Sequence, residues 1–326
     1  MENELTVKGF GKLPTCGDFV HYRCSFSDTE ILDSWFRDGL QLGKALYASD
    51  WPARFQKAPI YQFIYPLGIE QRIIIGVVKA SQDSSGRQYP FVVFTDFVGQ
   101  AKCEYPLARY LRQSSLFLQR VSALLQNSGQ QYLDTIEREA NIKEIACSDH
   151  ANADDAQTTR SFNFDQVSLS EIWPVAQSGD KPANRWCTLE NLLAIATNFH
   201  KNAPIQGAIG LQIALPRQPK VRAITISFWI AAVQKILGNI DCLPFCFWHT
   251  ESQHDQLFLF PNPPVAEHFL ALSIPDFQTP SIYALDQDWG LNMDSEHPSL
   301  NEYLHEPGLP LSLFLDSLAE CLKKSK

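Results

Sequence analysis

The chain has 326 residues, 45% of them apolar and 12% aromatic against 19% charged. That composition excludes the low-hydrophobicity signature of disorder, so most of the chain should fold, either as two packed domains or as one elaborated α/β domain. Its 27 Lys and Arg against 36 Asp and Glu give a formal charge of -9, and the only basic run is Lys323, Lys324 and Lys326, so nucleic acid is not an expected partner.

The opening residues MENELTVKGFGKLP lack the basic and apolar regions of an export signal, and no run of roughly 18 apolar residues could span a bilayer. A cytoplasmic protein without membrane insertion is expected. Ser27-Asp28-Thr29-Glu30 has the spacing of a capping box, and Ile31, Leu32, Trp35, Phe36, Leu42 and Leu46 follow on one helical face, predicting a helix over about 28–48. Three β-branched or aromatic runs come next: Ile60 to Pro66, Ile73 to Lys79 and Tyr89 to Phe97. The turn-rich Gln82-Asp83-Ser84-Ser85-Gly86 separates the last two, so an antiparallel meander is expected. Leu107, Leu111, Leu118, Val121 and Leu125 form a helical stripe, and Leu133, Ile136 and Ala140 form a second beyond Ser128-Gly129.

From Cys147 to about Thr159 the sequence is polar and without period, which marks a linker over 148–160 between an N-terminal domain, 1–147, and a C-terminal α/β domain, 161–326. Thr188 opens a helix with Leu189, Leu192, Leu193, Ala196 and Phe199. Strand-like runs follow over Ile205 to Leu215, Val221 to Val233, Phe245 to His249 and Leu257 to Phe260. Asn262-Pro263-Pro264 reads as a helix start, and Ser312 to Lys324 as an amphipathic helix through Phe314, Leu318, Cys321 and Leu322, its lysines near the end the helix dipole favours. The fold class is α/β of the α+β type: antiparallel sheets flanked by helices, in two packed domains.

The densest local signal is Gly9-Phe10-Gly11-Lys12-Leu13-Pro14-Thr15-Cys16-Gly17-Asp18-Phe19-Val20. Three glycines, a proline and an aspartate in ten residues call for special backbone dihedrals, with Lys12 and Asp18 presented on a tight turn. The Walker A spacing is absent and no Ser or Thr follows Lys12 to hold magnesium. The segment is then either a structural corner, with Asp18 satisfying backbone amides, or a contact site.

This segment resembles the N-terminal signature of the TagF (ImpM) family encoded with bacterial type VI secretion systems. The resemblance rests on Gly9, Gly11, Pro14, Gly17 and Asp18, followed in order by Trp35, Ala58-Pro59, Gly86-Arg87 and Tyr89-Pro90-Phe91. The second half resembles the family more loosely, through Ser227-Phe228-Trp229, Gly308-Leu309-Pro310 and Phe314. It departs at Ile230, where a second aromatic is common. The resemblance implies a non-enzymatic cytoplasmic regulator, mostly a repressor of the apparatus, that binds the forkhead-associated scaffold of the same system; a structural or assembly adaptor is the alternative. It implies no cofactor and no small-molecule substrate.

Among charged residues Arg87, at the end of the hairpin turn, is the best anchor, pairing either with Asp18 or with a carboxylate or phosphate of a partner. Lys12, Asp18 and Arg87 are the candidate contact residues. Trp35 lies on the apolar stripe of its helix and is read as core.

Two features could instead carry the chemistry of a metal- or cysteine-dependent hydrolase, the second alternative. Cys242, Cys246, His249 and His254 lie within thirteen residues, but in a strand Cys246 and His249 face opposite ways, so a metal site is not expected. Cys16 lies close to His21 in sequence, which does not establish a thiolate–imidazole pair. The eight cysteines are expected to be reduced and to serve mainly as small core residues, without disulfides.

Overall fold

The computed structural model describes residues 6–67, 72–98, 106–127, 164–172, 187–195, 209–216, 218–237, 243–249, 255–287, 306 and 308–324. Among the described residues nine strands form one sheet: β1 (Lys8–Gly11), β2 (Val20–Tyr22), β3 (Tyr61–Pro66), β4 (Arg72–Lys79), β5 (Phe91–Val98), β6 (Gly210–Ala214), β7 (Phe245–His249), β8 (Gln256–Phe260) and β9 (Ile282–Ala284). Their order is β2-β1-β5-β4-β3-β7-β8-β6-β9. Every pairing is antiparallel except that of β6 with β9.

The helices are α1 (Phe26–Tyr47), α2 (Trp51–Phe55), α3 (Pro106–Asn127), α4 (Leu169–Ile172), α5 (Pro219–Leu237), α6 (Ala266–Ser273) and α7 (Leu311–Lys324), with a further helical stretch over 187–195. The α/β class and the β3–β4–β5 meander are as expected. The two halves, however, share one sheet: β3 pairs with β7 through Gln62↔Trp248, Phe63↔Phe247 and Ile64↔Cys246. The linker expected over 148–160 and the stripe at Leu133, Ile136 and Ala140 lie outside the described residues.

Both faces of this sheet are covered, which is why its strands read as nearly unbroken apolar runs although antiparallel strands commonly alternate. Period two sorts each run onto two chemically different layers. One face gathers Phe10, Phe63, Tyr65, Phe94, Phe247 and Phe260 under α1, α2 and α6. The other is largely aliphatic, with Ile64, Ile73, Ile75, Val93, Leu257 and Leu259 packed beneath α3, α5 and α7.

On the aromatic face, Trp35 and Phe36 of α1 lie 5.7 Å from the Phe269 ring of α6, and Phe55 of α2 lies 6.2 Å from it. Gly39 makes room for this junction, since a Cβ there would fall 2.3 Å from the Phe269 ring. Polar stitches join the halves on both faces. Trp35 Nε1 donates to the Val265 carbonyl at 2.8 Å. Trp248 Nε1 donates to Gln62 Oε1 at 3.0 Å, and Gln62 Nε2 donates to Ser122 Oγ at 3.1 Å.

Four local expectations change. Helix α1 starts earlier than the Ser27 box, because Ser25 is the N-cap: its backbone N–H and hydroxyl both donate to Asp28 Oδ2, at 2.9 and 2.8 Å. Ile31 and Leu46, expected on the buried stripe, are exposed. The run Val221 to Val233 is not a strand but most of α5. Residues 224–233 of that helix are all buried against α3, α4 and α7. A helix apolar all round loses the amphipathic period that would identify it. Asn262-Pro263-Pro264 precedes its helix by several residues; Val265 is the N-cap of α6 and its N–H donates to His268 Nδ1 at 3.3 Å.

A network of four charged residues ties the start of α1 to the sheet. Arg72 of β4 meets Asp28 at 2.9 Å and Asp96 of β5 at 2.6 Å, while Lys8 of β1 meets Asp96 at 2.9 Å. Burial opposes the charge on Asp28, but the hydrogen bonds from Ser25 and Arg72 outweigh it and hold the carboxyl at about 2. Burial likewise opposes ionisation of Asp96, and Lys8 and Arg72 outweigh it and lower it.

Two outcomes follow from these contacts. Because both folded-state values lie below the unfolded carboxylate range, about 4, the network stabilises the fold above that range and is lost as pH falls towards 2. The urea midpoint should therefore hold from neutrality to about pH 5 and decline below it, with a shallower decline in Asp28→Asn. Gly39→Ala should lower stability by about 1–3 kcal/mol through overpacking against Phe269, despite the better helix propensity of alanine; urea denaturation measures it.

Candidate functional site

The glycine-rich segment is a strand, a turn and a short edge strand laid against β5 and the β4–β5 turn. Gly9 and Gly11 lie in β1, and their close approach to β5 requires the missing side chains. Gly11 has φ +125°, and a Cβ on it would fall 2.1 Å from the Pro90 carbonyl oxygen; one on Gly9 would lie 3.3 Å from the Val92 oxygen. The chain then turns, with Cys16 N–H donating to the Leu13 carbonyl and Ser84 N–H donating to the Cys16 carbonyl, each at 3.0 Å. Phe19 closes the segment over the aromatic core, 4.9 Å from the Tyr89 ring, and Tyr89 donates to Asp33 of α1.

One carboxylate fastens the turn to the hairpin. Asp83 Oδ1 accepts from Ser85 N–H at 3.0 Å, Ser85 Oγ–H at 2.8 Å and Arg87 N–H at 2.9 Å. Its Oδ2 takes Arg87 Nε–H at 2.7 Å and Lys12 Nζ at 2.9 Å. The Asp83 side chain is 0% exposed. Burial works against its charge, but the hydrogen bonds from Lys12, Ser85 and Arg87 outweigh that and hold the carboxyl well below the usual range. Gly86, with φ +81°, completes the turn, its N–H donating to the Asp83 carbonyl at 2.9 Å.

Of the three candidate contact residues, Lys12 and Arg87 come together and Asp18 stands apart. Arg87 pairs with Asp83, not Asp18, and donates from Nη2 to the Gly17 carbonyl at 2.7 Å. Asp18 is exposed and has no hydrogen-bond or ion-pair partner among the described residues. The residue that sequence reasoning passed over is Asp83. Its signal was present in Asp83-Ser84-Ser85-Gly86, an aspartate followed by a hydroxyl residue and glycine, the pattern of a turn closed by its own carboxylate.

The other signature residues are supports. Pro14 is exposed on the turn and Pro90 is buried beside Gly11. Trp35 is buried, as expected. Trp35, Phe55, Ala58, Pro59 and Pro90 converge on a cavity of about 30 Å³, room for roughly two waters.

The strand residues of the metal alternative face apart. Cys246 lies on the aliphatic face of β7 and His249 on the aromatic face, 5.2 Å from the Tyr61 ring. Burial also pushes the Cys246 thiol well above its ordinary value, away from the thiolate that metal binding or attack requires. Cys242 and His254 lie outside the described residues. Among the described residues no three His, Cys, Asp or Glu side chains are grouped to hold a metal ion. No described helix is long and apolar enough to cross a membrane.

Asp83→Ala would strand Lys12, Arg87 and two hairpin amides at once. It should lower Tm clearly, whereas Asp18→Ala should leave Tm unchanged; differential scanning calorimetry of the two variants measures the contrast.

Comparison with known proteins agrees with this segment. Residues 9–145 match the TagF N-terminal domain, described as type VI secretion system-associated. The crystal structure of PA0076 from Pseudomonas aeruginosa PAO1 is similar at 23% identity and a TM-score of 0.35, over 42% of this chain and 61% of that one. The chain thus spans less than two thirds of that protein's length. No curated protein matches the chain. The glycine-rich strand and the hairpin that holds it therefore fall within the stretch, residues 9–145, that matches the type VI secretion system-associated TagF N-terminal domain.

Proposed function

We propose that the chain is a cytoplasmic, non-enzymatic regulator of type VI secretion, a repressor that acts by binding another protein of the system, with the forkhead-associated scaffold as first candidate. The observation that carries this reading is the domain match over residues 9–145. Within it the glycine-rich segment and the Asp83 turn build a hydrogen-bonded surface feature. Around the Asp83 turn, Lys12 and Arg87 are held by hydrogen bonds before any partner arrives, and such preorganisation lowers the entropy cost of binding. The surface's average negative charge also agrees with a protein partner better than with a nucleic acid.

Deleting the gene should raise secretion through the system, and overproducing the protein should suppress it; secreted effector in the culture medium is the readout. Secretion that falls on deletion would favour an assembly adaptor over a repressor, and secretion unchanged in both directions would remove the regulatory reading.

A further inference from the structure

Arg87 is more firmly held than an exposed arginine needs to be. Its backbone N–H, Nε and Nη2 are all engaged, yet its side chain is 63% exposed. A guanidinium carries five donors. Two are used, on Asp83 and Gly17, and the rest have no partner among the described residues. Lys12, only 15% exposed, meets the same Asp83 carboxylate. Two cations on one buried anion leave one net positive charge, and its accessible edge is the outer side of Arg87.

The positions flanking Arg87 are small, and the exposed carboxylate of Asp18 follows Gly17 in the chain. Gly17, whose carbonyl Arg87 holds, has no backbone or packing reason to be glycine. It is not at a positive φ, and a Cβ there would meet only Ser84 Oγ, at an ordinary 3.6 Å. Gly86 on the other flank faces open space, with nothing within 4 Å of a built Cβ. Thr15, Ser84 and Ser85 around them are exposed and short. At Gly17, where neither fold nor packing demands glycine, the missing side chain leaves room for close approach from outside; at Gly86 the turn's φ of +81° sets the residue and the space beside it is open as well.

We propose that the outer edge of Arg87, flanked by Gly17 and Gly86, is an oxyanion-binding site that receives a carboxylate or phosphate side chain of a protein partner lying across these glycines. Arginine suits this use because its planar fork takes two oxygens at once, and here its orientation is set in advance by Asp83 and the Gly17 carbonyl. The site rests on the regulatory reading for the identity of the partner, but not for the chemistry.

Titration of the full chain with inorganic phosphate, and separately with succinate, tests that chemistry without a partner. The readouts are the Arg87 Nε–Hε and Gly17 amide resonances in nitrogen–proton NMR. Both should shift saturably, and the Gly17 shift should vanish in Arg87→Gln. No saturable shift with either anion, or an unchanged Gly17 response in Arg87→Gln, overturns the site.

Affinity for the purified forkhead-associated scaffold tests its use. Gly17→Ala should keep the wild-type Tm yet weaken binding about tenfold, as should Arg87→Gln, while Arg54→Gln on α2 should bind as wild type. Loss of binding after phosphatase treatment of the scaffold would identify the oxyanion as phosphate, and retention would identify it as carboxylate. Wild-type affinity in both Gly17→Ala and Arg87→Gln overturns the proposed use. A scaffold that never binds the wild-type chain counts against the regulatory reading alone, and the anion titration then decides the site.

Discussion

The pairing of β3 with β7 is the constraint on which the rest of the molecule depends. Without it each half would present an unpaired strand, with free N–H and C=O groups beside apolar side chains. With it, Phe63 and Phe247 stand side by side on one face, 5.8 Å apart, and Ile64 and Cys246 on the other. The shared sheet then lets α6 of the second half close over α1 of the first, through Phe269 against Gly39. It also lets α3 of the first half pack against α5 of the second. Helices from both halves thus cover both faces, and the two cores are defined by the sheet's faces, not by the halves of the chain.

On this platform the glycine-rich segment is not an independent loop. Gly11 is admitted against β5 because Pro90 leaves no space for a side chain, and the following turn is held through Ser84 and Arg87. Asp83 is costly to bury, and what offsets that cost is its full set of donors: two cations, two amides and a hydroxyl. A half-satisfied carboxylate in the same place would favour a looser turn. The arrangement converts burial of one anion into fixed geometry for Arg87.

Much of the fold was legible because both strand faces are apolar and the turns between strands are marked by Gly, Ser and Asp. The meander, α3, the 187–195 helix and α7 could be read from run length and spacing. What could not be read has specific causes. Helix α5 is buried on all sides, so Val221 to Val233 carried no helical period. The β3–β7 pairing joins residues far apart in sequence, and nothing local announces it. At the site, Lys12, Arg87 and the special glycines were visible as composition. Their convergence on Asp83 was not, because spacing within the chain does not show which carboxylate sits beneath a turn, and Asp18, nearer to Lys12 in sequence, was the more apparent partner.

The contact surface proposed at the Asp83 turn depends on that turn being rigid before a partner arrives. Hydrogen–deuterium exchange of the full chain, resolved over residues 83–88 and compared with and without the forkhead-associated scaffold, tests it most directly. Slow exchange is expected at Ser84, Ser85, Gly86 and Arg87 in the free chain, since each amide has an acceptor, with further slowing when the scaffold is added. Rapid exchange of these amides in the free chain, or scaffold-induced protection confined to other regions, would contradict it.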